Sequence, residues 1–182
     1  MCAQIIFLHG PSSSGKSTLA RALQAQVDRP FWHVSIDHLR DSGMIPIHRF
    51  RAGDFDWMQS RERVFEGFHT SLSAYADAGN NLIVEHILDQ SEWGGRLVAL
   101  LADHDVFFVG MHCDLETLNR REQQRADRPV GSAQRDFDTV HDGRVYDLEL
   151  NGADPVDTNV SKLLHVWRSG RRKSEFRAAQ LM

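Results

Sequence analysis

The run Gly10-Pro11-Ser12-Ser13-Ser14-Gly15-Lys16-Ser17, followed by Thr18, could hold the phosphates of a nucleotide. It fits G-x-x-x-x-G-K-[ST] at every fixed position. Glycines let the backbone wrap until successive N–H groups point inward at phosphate oxygens. The start of the helix that follows adds partial positive charge. Lys16 would reach the outer phosphates, and the Ser17 hydroxyl could ligate Mg2+.

Two more acidic positions could complete such chemistry. Asp37 could take a proton from an acceptor hydroxyl, hold Mg2+ through water, or cap a helix. Glu85 could serve Mg2+ beside Ser17, and the neighbouring His86 reads as structural. Arg120, Arg121, Arg125 and Arg128 crowd into nine residues. Arg121, Arg125 and Arg128 fall on one helical face, where they repel one another unless an anion joins them. A transferring phosphoryl group is such an anion, and guanidinium groups match its oxygens in pairs. A solvated charged helix is the competing reading.

These residues need a scaffold that brings them together. Short apolar runs at 4–9, 31–36, 81–85 and 105–112 predict buried strands. Helical periodicity falls at 17–27, 57–78, 93–102, 115–124, 136–141 and 159–169, with Gly79 as a stop. A fifth strand is weak, at 146–150 or 156–157. Buried strands alternating with helices predict an α/β fold, a five-stranded parallel sheet with helices on both faces. In such a sheet the ligand lies beyond the carboxyl ends of the strands, where the loop, Asp37 and Glu85 all fall. The Arg-rich stretch 120–140 is then a lid over the phosphates. The irregular loop 41–56 is expected to build the acceptor pocket, and the basic tail 171–182 is expected to be mobile. Arg171 and Arg172 are candidates for contacting the nucleotide base. The four tryptophans are expected in the core, except Trp57 beside the irregular loop.

Composition narrows the class. The chain has 182 residues, 41% hydrophobic and 25% charged, which suits one globular domain. A formal charge of −4 offers no basic channel for nucleic acid. There is no apolar run near 18 residues and no secretory pattern, so neither a membrane nor export is expected. Two cysteines outside any metal spacing predict reduced thiols and a cytoplasmic location. The ten histidines show no HxxxH or HxH spacing, so no histidine metal site is read from them. Self-association is left open.

The chain resembles the chloramphenicol phosphotransferase-like family of P-loop kinases. The likeness begins with "IIFLHGPSSSGKST" and continues through "VSIDHL", where Asp37 matches the family's catalytic-base aspartate. It is most specific at Arg121, Glu122, Arg125, Asp127, Arg128 and Gly131, then Val140, His141, Gly143, Tyr146 and Asp147. The family often carries an Asp pair where this chain has Glu85-His86, and "LELNGADPVDTN" is longer than its counterpart. The resemblance implies ATP- and Mg2+-dependent phosphorylation of a hydroxyl on a small molecule, chloramphenicol or a similar antibiotic, giving resistance. Asp37 would remove the proton, and Lys16, Arg121, Arg125 and Arg128 would neutralise the phosphoryl group. The rival readings are a kinase of another small metabolite or nucleoside, and a non-catalytic ATP-binding regulatory module. The absence of N-K-x-D removes support for a guanine-nucleotide switch.

Overall fold

The computed structural model describes residues 2–124 and 131–179. In chain order the elements are β1 (Gln4–His9), α1 (Lys16–Gln24), β2 (Phe31–Ser35), α2 (Ile36–Asp41), α3 (Ile47–Arg51), α4 (Trp57–Asp77), β3 (Asn81–His86), α5 (Ser91–Leu100), β4 (Asp105–His112), α6 (Leu115–Gln123), α7 (Ser132–Phe137), β5 (Leu148–Asn151), α8 (Val156–Arg168) and α9 (Glu175–Ala179). The strands form one sheet in the order β2-β3-β1-β4-β5, every pair parallel. The expected five-stranded parallel sheet is therefore present, and its weak fifth strand is at 148–151 rather than 156–157, which begins α8.

Side-chain alternation sorts the core into two layers. Ile5 and Phe7 of β1, Leu82 and Val84 of β3, and Val106 and Phe108 of β4 pack with Phe68 and Leu72 of α4 and Leu97 of α5. Ile6 and Leu8, Ile83, Phe107 and Val109 face the other way, against Leu19 and Leu23 of α1 and Leu163 and Trp167 of α8. The same parity decides the ends of the strands. Glu85 shares a face with Ile83 and so looks toward α1, while His86 shares a face with Val84 and looks toward α4 and α5.

Capping fixes where the helices start. The Asp56 carboxylate accepts from the backbone N–H groups of Met58 and Gln59 at 2.8 and 3.3 Å, opening α4. Asp114 does the same for α6 through Thr117 N–H at 2.7 Å. At α2 the cap is Ser35, whose hydroxyl accepts from Asp37 N–H at 3.1 Å. Asp37 therefore lies within the first turn, not at the cap.

Three expectations are corrected. The basic tail, read as mobile, is docked as far as 179. Phe176 is buried against Phe7 and Phe108, with ring centroids 5.7 and 5.1 Å apart. Asp147 Oδ1 accepts from Lys173 and Ser174 N–H at 2.5 and 2.9 Å, which fixes the backbone leading into α9. One apolar side chain and one buried carboxylate thus override a polar composition. Arg172 is paired with Asp105 at 2.8 Å, at the start of β4 and so at the opposite end of the sheet from the phosphate loop. Trp32 is 47% exposed on the edge strand β2, tilted against Tyr75.

Candidate active site

The phosphate loop joins β1 to α1 and is built by local geometry. Gly15 is the residue before α1 and adopts φ +100°, a left-handed conformation that suits glycine. Ser13 is also left-handed at φ 65°, and Ser14 N–H donates to the Pro11 carbonyl at 3.3 Å. Lys16 is folded back on the loop, its ammonium donating to the carbonyls of Gly10 and Pro11 at 2.7 Å each. Beyond the loop Gly152, after β5, lies so close that a Cβ would collide with the Ser14 carbonyl oxygen. Only glycine lets the β5–α8 turn brace the loop at this point.

One cavity gathers the expected groups. Its wall includes Ser12 to Ser17 of the loop, Asp37 of α2, Phe65 of α4, and Glu85. Asp37 holds Arg40, one helical turn along, at 2.9 Å. Ser17 donates its hydroxyl proton to Glu85 Oε2 at 2.7 Å, and Glu85 Oε1 is hydrogen-bonded to His33 Nε2. Burial works to raise the Glu85 pKa, but the bonds from His33 and Ser17 outweigh it, and the carboxyl is held below its usual range. Two hard oxygen donors, Ser17 Oγ and Glu85, thus meet beside the loop and fit a Mg2+ ion.

His86 also lines this cavity, but from the opposite parity of β3. It is buried in an aromatic nest, stacked on Trp93 and Phe65, with Nε2 2.9 Å from His69 Nε2. Burial lowers both rings, His86 well below the ordinary value and His69 to about 4. His141 is also brought down to about 4, chiefly by burial and then by His112. An unfolded chain releases its desolvation and protonates these rings near 6.5. Between that value and about 4 the unfolded state therefore binds more protons, and stability must fall as pH falls. The urea midpoint is expected to drop already between pH 6.5 and 5.5, before carboxylates titrate. A midpoint flat across that interval would show that the rings are not held neutral.

Arg121 reaches the loop from α6, donating to the carbonyls of Ser13 at 3.3 Å and Gly152 at 2.9 Å. Arg125 and Arg128, with Asp127, lie outside the described residues. Asp136, to which sequence reasoning gave no role, is buried in α7 and its Oδ2 accepts from Ser12 N–H at 3.2 Å. Its one signal was a place inside the stretch that carries the resemblance. His141, Tyr146 and Asp147 of that stretch act as struts. The Tyr146 hydroxyl bridges His9 Nδ1 and His141 Nδ1 at 2.8 and 2.7 Å. Asp147 Oδ2 accepts from Phe108 N–H at 2.8 Å.

The 41–56 segment stands off this cavity. Its residues wall a separate shallow hollow with Arg40, including Ile45, His48 and Arg51. The α2 helix leaves the sheet directly after β2, so only its first residues reach the phosphate side. A neighbouring hollow is lined instead by Trp57, Met58 and Arg61 of α4, by Asp89, and by Arg135 and Asp136. Arg61 is paired with Asp89 at 2.8 Å and lies over the Trp93 ring at 4.7 Å.

Solved structures with the same fold are P-loop kinases. The APS kinase of Mycobacterium tuberculosis, in complex with AMPPNP and APS, superposes with a TM-score of 0.67 at 18% identity, over 92% of this chain and 98% of that one. Shikimate kinase from Aquifex aeolicus gives 0.60 at 19% identity, over 91% and 96%. By sequence, a Mycobacterium tuberculosis (strain H37Rv) protein named, provisionally, an O-phosphotransferase is 25% identical over 181 residues, covering 89% of this chain and 80% of its own length. No described helix is long and apolar enough to cross a membrane. Residues 3–166 match the model of the chloramphenicol phosphotransferase-like proteins, and the chain belongs to that family.

Proposed function

We propose that the protein transfers the γ-phosphoryl group of ATP to a hydroxyl of a small molecule, with chloramphenicol or a similar antibiotic as the acceptor and resistance as the result. The observation that carries this reading is the single cavity in which Asp37 lines one wall and the phosphate loop with Lys16 and Ser17 lines another. A loop alone binds nucleotide; a carboxylate across the same space gives an acceptor hydroxyl somewhere to leave its proton.

In this reading the Lys16 ammonium exchanges the Gly10 and Pro11 carbonyls for phosphate oxygens. Asp37 accepts the hydroxyl proton, and the Arg40 guanidinium beside it fixes the carboxylate. Arg121 and, with it, Arg125 and Arg128 offset the negative charge that develops on the phosphoryl oxygens. Mg2+ would be held by Ser17 with Glu85 and would supply charge neutralisation between the phosphates. The nucleotide base would lie in the hollow lined by Thr18, Leu19, Arg121, Val156 and Asn159. Asn159 is 3% exposed and its Oδ1 has no partner among the described residues, which suits an exocyclic amino donor such as adenine carries. The acceptor would enter over Trp57, Met58 and Arg61.

An acceptor screen tests the assignment. ATP consumption is expected to rise when chloramphenicol is added. A rise with another alcohol or a nucleoside alone would move the acceptor class while keeping the reaction, and ATP binding with no acceptor-stimulated turnover would favour the regulatory module.

A further inference from the structure

Glu85 belongs to a second group of side chains that phosphoryl transfer does not require. His33 lies on β2 with the same parity as Phe31, so it faces α1, as Glu85 does from the adjacent strand β3. His38 projects from α2 and sets its ring across that of His33, centroids 4.5 Å apart and planes at 81°. One nitrogen from each imidazole and one Glu85 oxygen all lie within 4.8 Å of one another. The His33 and Glu85 side chains are only 7% and 8% exposed, whereas His38 is exposed. Two ligands are thus fixed at the floor, and the third stands at the rim.

The donor set selects the ion. Two imidazole nitrogens and a carboxylate suit borderline divalent transition ions, whereas Mg2+ and Ca2+ prefer oxygen alone. Bonds of roughly 2.0–2.2 Å to zinc-type ions need ligand atoms about 3.4 Å apart in a tetrahedron. His33 Nε2 and Glu85 Oε1 are hydrogen-bonded and must part slightly to admit an ion, while His38, the exposed member, closes onto it. The Ser17 hydroxyl, 2.7 Å from Glu85 Oε2, or a water would complete the shell. An ion pair between His33 and Glu85 would need no second imidazole. Sequence spacing concealed the group because its members come from two adjacent strands and the helix after the first.

We propose that His33, His38 and Glu85 form, beside the phosphate loop, a binding site for a divalent transition ion of the Zn2+ or Co2+ type, which shares Glu85 with the Mg2+ position and differs from it by two imidazole donors. The site is tested without nucleotide or acceptor, so its outcome is independent of the phosphotransferase reading. The full chain, stripped with a chelator, is titrated with CoCl2 while visible absorption is followed. The expected result is one ion per chain, with the absorption bands of low-symmetry nitrogen–oxygen coordination. Zn2+ should displace it and a hundredfold excess of Mg2+ should not. His33→Ala and His38→Ala should each weaken binding by about 10-fold or more. His165→Ala, on the exposed side of α8, should leave binding unchanged. Because His38 is exposed, its variant is expected to stay folded, which circular dichroism would check. Absence of Co2+ binding, wild-type affinity in the His38 variant, or a loss that follows His165 instead would overturn the site.

Discussion

Lys16→Ala is expected to abolish phosphoryl transfer, by about 10³-fold or more in kcat/KM, while the chain stays folded. Lys16 is 8% exposed, and its ammonium is held 2.7 Å from each of two loop carbonyls. Turned from these carbonyls onto phosphate oxygens, it acts on the charge that develops there, and single donors of this kind are each worth roughly 10²–10³-fold. A full positive charge that also binds the ground-state phosphates should exceed that. The fold should survive because the two core layers are made by β1, β3, β4 and the helices that cover them, and Lys16 contributes to neither. Turnover measured beside a thermal melt separates the two effects. Full activity in the variant would remove the loop from the mechanism.

Asp37→Asn carries the next largest effect. An amide keeps the size of the carboxylate and can still accept from Arg40, but it cannot take up a proton from an alcohol. Turnover is expected to fall by roughly 10²–10⁴-fold, the range of general-base contributions, with the KM for ATP little changed. Stability should hardly move, since Ser35 rather than Asp37 caps α2. The part-exposed pair with Arg40 is of a kind worth only about 0.3–0.5 kcal/mol. Normal turnover combined with a lower melting temperature would make Asp37 a structural residue.

Much of the scaffold was legible because local pattern and tertiary demand agree. The loop motif, the apolar run before it and the amphipathic run after it all specify one strand–loop–helix unit. The end of α4 was readable from Gly79. The site was legible less evenly. Asp37 and Glu85 stand out because they lie at the carboxyl ends of β2 and β3, yet the choice between Glu85 and His86 rests on which face of β3 each occupies. That face follows from the alternation Ile83, Glu85 against Val84, His86, once α1 is known to cover it. The tail misleads composition because Phe176 and Asp147 act over a long sequence separation. Asp136 and the His33–His38–Glu85 group share that difficulty: each is defined by elements that meet only in the folded chain.

The most direct measurement follows the label. Wild-type chain is incubated with Mg2+, chloramphenicol and ATP labelled on the γ-phosphate, and the small-molecule fraction is separated and weighed by mass spectrometry. The expected product is the acceptor one phosphate heavier, carrying the label, formed by the wild type and nearly absent with Asp37→Asn. Label that appears only in inorganic phosphate, or in no acceptor across a panel of hydroxylated antibiotics, sugars and nucleosides, would contradict a small-molecule phosphotransferase.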